Sequence, residues 1–75
     1  MTLKEQIKTA LAKRRFNFGH LAELSGVDRG SVSRILGGHR ACTARVAKDL
    51  AAAARELTGR PYLSHHFINN VSLED

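Results

Sequence analysis

The sequence predicts an all-α fold, a bundle of about five short helices, and three observations predict it. Apolar residues recur at intervals of three and four through most of the chain. Residues that start and stop helices stand at the ends of those periodic stretches. One run, from Asn17 to Gly37, carries two start and stop signals back to back.

The first helix begins at once. Thr2 and Glu5 have the spacing of a capping box, in which each satisfies the other's orphan donor. Leu3, Ile7, Ala10 and Leu11 then mark its buried face. Lys13, Arg14 and Arg15 close it, with positive charge at the negative end of the helix dipole. That triplet is either a solvated helix end or, in addition, a phosphate contact.

Helix 2 is expected over residues 18–25 and helix 3 over residues 29–36. Asn17 is a good N-cap for helix 2, and Phe16 and Leu21 have the spacing of a hydrophobic staple. Gly26 supplies the positive φ that ends it. Asp28 caps helix 3, and Val27 and Val32 repeat the staple. Ala22, Val32 and Ile35 form the inner face, where a small Ala lets two backbones approach closely. Together these residues spell a helix-turn-helix.

Gly37, Gly38, His39 and Arg40 form the next loop, and Thr43 or a neighbour opens helix 4. Val46, Ala47, Leu50, Ala51, Ala54 and Leu57 make its apolar stripe, and Gly59 ends it. Pro61 suits the first turn of a further helix. Beyond it, Tyr62, Leu63, Phe67, Ile68 and Val71 form a loose helical stripe that fits extended structure as well. The division expected is residues 1–59 as the helix-turn-helix domain, with residues 60–75 as a dimerisation or core-covering element.

Composition narrows the function. A chain of 75 residues has room for one small core. Its single cysteine, Cys42, allows no internal disulfide and fits a reducing cytoplasm, where it would serve as a small apolar plug. No apolar run approaches the roughly 20 residues that span a bilayer, and the first residues are no secretory signal. A soluble, cytoplasmic protein is expected. All twelve Lys and Arg lie within residues 1–60, with five acids, whereas Glu74 and Asp75 are the only charges beyond. A basic body of this size points to a polyanionic partner or to an unspecific positive surface.

The pattern resembles the Cro- and lambda-repressor-like family of phage and bacterial DNA-binding domains. The matching residues are Leu21 and Ala22, Gly26 and Val27, the polar helix start at Asp28 and Arg29, the run Val32, Ser33, Arg34 and Ile35, and the exit at Gly37 and Gly38. Two positions depart: that family usually carries a longer polar residue where Gly30 stands, and an acidic or polar one where Leu36 stands. The resemblance implies a lambda-repressor-like bundle that binds double-stranded DNA as a transcriptional regulator.

In a helix-turn-helix the second helix enters the major groove, N-terminal end first. The candidates for base contact are therefore Arg29, Gly30, Ser31, Ser33 and Arg34. An arginine can hold a guanine through paired bonds, and the resemblance favours Arg29 and Ser33 nearer the bases. Arg34 has a second reading, a surface ion pair with Glu23. Gly30 either lets the backbone approach a base or is simply tolerated. Asn17 and Phe18, at a helix start, are candidates for phosphate contact. His39 and Arg40 follow helix 3, where the family places backbone contacts, and Thr43 and Arg45 extend that track.

A single short recognition helix contacts few bases, so a homodimer on a palindromic operator is expected. Leu63, Phe67, Ile68 and Val71 are the candidate dimer interface. Two rival readings are an antitoxin-like autoregulator that also binds a protein, and a protein-interaction module without DNA binding. His39, Cys42, His65 and His66 make a poor zinc set with only one cysteine, so no metal is expected. No cofactor motif or catalytic grouping stands out, and the chain is not read as an enzyme.

Overall fold

The computed structural model describes residues 1–74 and contains five helices: α1 (Leu3–Lys13), α2 (Phe18–Ser25), α3 (Arg29–Leu36), α4 (Ala44–Thr58) and α5 (Ser64–Ile68). No strand occurs among the described residues. The protein is a compact, all-helical bundle with α4 at its centre, packed against α1, α2 and α5, while α3 packs against α2 and α1.

The first four helix starts use the residues the sequence offers. Thr2 accepts a hydrogen bond from the Glu5 amide, and the Glu5 carboxylate accepts one from the Thr2 amide. Asn17, Asp28 and Thr43 accept from the amides of His20, Ser31 and Val46. The box at α2 is completed by a histidine, whose Nδ1 accepts from the Asn17 amide. Gly26 and Gly59 end α2 and α4 in the left-handed region. At the end of α3 that conformation falls on Gly38. The amides of Gly38 and His39 turn back to the carbonyls of Ile35 and Arg34, which satisfies two orphan acceptors at once.

The core gathers Leu3, Ile7 and Leu11 of α1, Leu21 of α2, and Val32, Ile35 and Leu36 of α3 around Leu50 and the alanines of α4. Val46 and Leu57, expected in the α4 stripe, are half-buried at its margin, and Ala53 joins the buried set. Leu36 is buried, so an apolar residue there serves the core.

The tail differs from its expectation in two respects. Pro61 is outside any helix, at the centre of a tight turn in which the Tyr62 amide donates to the Arg60 carbonyl, and α5 starts three residues later. The cap of α5 is again a histidine, with His66 Nδ1 accepting from the Leu63 amide. The helix stops after five residues because Asn70 turns into the left-handed region, allowing the Val71 amide to reach the His66 carbonyl. The second difference concerns Phe67, which was expected at a dimer interface. It is 2% exposed and lies with Tyr62, at 0%, in the monomer's own core. The alanine-rich face of α4 leaves the space these rings fill. Residues 60–74 therefore cover the core, and only Leu63, Ile68 and Val71 of the expected interface remain on the surface, 44–49% exposed.

Two polar contacts fasten the tail. The Gln6 side-chain amide donates to the Leu73 carbonyl and accepts from the Leu73 amide, both at 2.7 Å. Arg55 of α4 donates to the Tyr62 carbonyl at 2.7 Å. Among the described residues no helix is long and apolar enough to cross a membrane.

Candidate nucleic-acid interface

α3 is divided cleanly into two faces. Val32, Ile35, Leu36 and also Ser31 are buried, while Arg29, Gly30 and Arg34 are exposed and Ser33 is half-buried. At about 100° per residue, the outward positions span an arc of about 140° with the two arginines at its edges. Between them lie Gly30 and Ser33, which add little bulk. The outer face of α3 is thus a shallow polar floor with a guanidinium at each side.

The arginines lean in different directions. A methyl group built on Gly30 would lie 3.4 Å from the Arg34 guanidinium and 3.3 Å from the Asp28 carboxylate. Arg34 thus folds back over Gly30, one turn earlier, toward Asp28. Gly30 is the residue that leaves it room. Arg29 leans to the opposite side, with a guanidinium nitrogen 3.8 Å from the corresponding position on Gly19 at the start of α2.

Ser31 was expected among the base contacts, and its place is different. It is 5% exposed, on the same side of α3 as Val32 and Ile35. Its hydroxyl donates to the Asp28 carboxylate at 2.6 Å and accepts from the Arg40 guanidinium. Arg40, expected on a phosphate, is thereby committed to tying the loop after α3 back to the helix start. The hydroxyl and amide of Ser31, then the nearby charges of Arg34 and Arg40, hold the Asp28 carboxyl below the usual aspartate range.

The other expected contacts are arranged around this helix. The side chains of Asn17 and Thr43 serve as helix caps, and Phe18 is half-buried against the core. Their backbone positions at two helix starts are unaffected by those roles. His39 and Arg45 are exposed. Cys42 is half-buried against the core, and burial pushes its thiol pKa up. Lys13 and Arg14 lie away from α3. Both line a pocket with Thr58 and Arg60, and Arg14 covers the C-terminus of α4, 2.6 Å from where a side chain on Gly59 would start.

One cationic group was missed by the sequence analysis. Lys4, Lys8 and Ala12 of α1 share an open groove of about 390 Å³ with Asn17 at the start of α2 and with Arg29 and Ser33 of α3. Lys4, Lys8 and Ala12 are spaced i, i+4, i+8, so a stripe was legible in the sequence. What it faces was not, because that depends on how α1 crosses α3.

No protein family, curated protein or solved structure matches the chain.

Proposed function

We propose that this protein is a sequence-specific duplex-DNA-binding transcriptional regulator, a repressor acting as a dimer, with α2 and α3 as its helix-turn-helix. The observation that carries this reading is the outer face of α3. A short helix with a buried apolar side offers a polar, low-relief surface edged by Arg29 and Arg34, on a strongly basic body. That surface suits the major groove, where an arginine pairs with guanine and small side chains let the backbone come close. Arg29, Gly30, Ser33 and Arg34 are the base-reading set, and Arg34 leaves Asp28 to make its contact. Asn17, Phe18, His39, Thr43 and Arg45 supply backbone positioning.

A second copy would pair through Leu63, Ile68 and Val71, the large apolar groups the tail leaves exposed. The same trio also suits the antitoxin-like alternative, in which a different protein covers it.

Selection of bound sequences from a random duplex pool tests the function, since it reports binding, preferred sequence, symmetry and half-site spacing together. A recovered palindrome is the expected result, and a pool without enrichment would sink the reading. Arg29→Ala should then cost about 1–3 kcal/mol on the recovered site and relax preference at one base pair per half-site. Equal weakening on recovered and scrambled duplexes would show that Arg29 reads no base.

A further inference from the structure

We infer that the groove between α1 and the start of α3 is a seat for the DNA phosphate backbone, with Lys4 and Lys8 as its principal cations; this rests on the DNA-binding reading above. Three positive side chains, Lys4, Lys8 and Arg29, line one concavity that contains no carboxylate. Arg29 and Ser33 belong at once to the groove and to the outer face of α3, so the groove opens beside the surface assigned to base reading. A strand whose bases meet α3 would carry its phosphates past Lys8 and Lys4.

The other cations around α3 are differently placed. Arg34 and Arg40 both face Asp28, directly or through Ser31, and share its negative charge. Lys13 is about 140° round α1 from Lys8 at 3.6 residues per turn, and it lines a different pocket with Arg14 and Arg60. Both pockets gather three cations without a carboxylate, but only the one with Lys4 and Lys8 is also lined by residues of α3. Ala12 continues the stripe of Lys4 and Lys8 with a side chain too small to fill the groove. The groove is only partly enclosed, whereas a site for a small molecule encloses most of its ligand's surface. An extended polyanion fits this shape better than an enclosed anion.

The test is salt dependence, measured on the full chain with a short fluorescent duplex recovered from the pool and with a scrambled duplex of equal composition. Removing a cation that neutralises one phosphate lowers the slope of log K against log salt by about 0.9. Lys4→Gln with Lys8→Gln should therefore lower it by about 1.8 on both duplexes, and Gln keeps a good helix former at each position. Lys4→Arg with Lys8→Arg should restore the slope. Lys13→Gln should leave it unchanged, and circular dichroism confirms that each variant is folded.

Wild-type binding whose slope is indifferent to Lys4 and Lys8 overturns the groove while leaving DNA binding in place. A fall of about 0.9 for Lys13→Gln, the same per charge removed, also overturns it, because net charge alone would then explain the effect. A fall confined to the Lys4 and Lys8 variant, without any sequence preference, supports the groove and overturns base reading by α3. Absence of binding to every duplex at low salt overturns both.

Discussion

The segment from Asn17 to Gly38 and the tail from residue 60 onward are held in opposite ways. In the first, the structure is written locally. Asn17 and Asp28 cap helices through atoms three residues away, Gly26 and Gly38 turn the chain, and no contact outside the segment is needed to see where α2 and α3 begin. The tail has only a five-residue helix, too short to be stable by itself in water. It is held by distant partners: two rings in a core built by other helices, and a glutamine side chain 67 positions away from Leu73. Capping and spacing rules can reveal the first kind of structure. The second kind depends on which surfaces the rest of the fold leaves uncovered.

The sharpest way to break this contrast is Phe67→Ala. A buried phenylalanine truncated to alanine typically costs about 3–5 kcal/mol, through reduced burial and the cavity left behind. A small domain has little more than that in reserve, so the urea midpoint should collapse across the whole molecule, α2 and α3 included. A variant that keeps the midpoint while losing mass in sedimentation would instead place Phe67 between protomers. Ile68→Lys is the companion measurement. Ile68 is 48% exposed, so its change should leave the midpoint nearly unaltered while dispersing any dimer that uses the tail.

Gln6→Ala should be next in size, at about 1–2 kcal/mol, because it removes two hydrogen bonds and leaves the Leu73 amide and carbonyl without that partner. Its signature is local. Hydrogen exchange should speed up in residues 71–73 before it does in α2 or α3. Uniform acceleration would mean that the tail and body open as one unit, and the contrast between them would lose its force.

These two residues also show where sequence reasoning stopped. Gln6 is a polar residue inside the buried stripe of Leu3, Ile7 and Ala10, an anomaly that signals a partner without naming it. Phe67 belongs to a loose stripe compatible with lid or interface, and the alanine-rich face of α4 was the sign that bulky side chains must come from elsewhere. On α3 the helix and its two arginines were legible. Ser31 was misplaced, although its position one residue before Val32 and one turn before Ile35 puts it on the inward side. The direction in which Arg29 and Arg34 lean, and the convergence of Lys4 and Lys8 on Arg29, depend on packing between helices. Periodicity carries no information about that.

Asn17→Ala sharpens the comparison from the other side. Removing a side-chain cap typically costs about 1 kcal/mol. If the segment from Asn17 to Gly38 is locally specified, the loss should appear as fraying of the first turn of α2, with the tail unaffected. Nuclear magnetic resonance shifts confined to residues 17–21 would support this. Shifts that spread to Tyr62 or Phe67 would show that α2 too depends on the distant core.

The smallest effect expected is the response of α3 to acid. The Ser31 hydroxyl and amide, with Arg34 and Arg40 beyond them, stabilise the ionised form of Asp28 and hold its folded pKa below the unfolded value of about 3.9. A group with a depressed folded pKa contributes its stability above the unfolded pKa and loses it as pH falls through the folded one. The contribution should therefore be complete at neutral pH, begin to fall near pH 4, and be gone only once the pH has dropped below the folded pKa. Asn also caps helices well but carries no charge, so Asp28→Asn isolates the charge from the cap. Urea midpoints measured from pH 7 down to pH 2 should fall less steeply in Asp28→Asn than in wild type. The remaining slope has a source, because the Thr2 amide and hydroxyl lower the Glu5 carboxyl as well. Asp28 is at the surface, where water screens its charge, and the difference between the curves should be modest. Superimposable curves would mean that Asp28 acts only as a cap and that the nearby arginines add nothing to α3. They would then be as available to DNA in acid as at neutral pH.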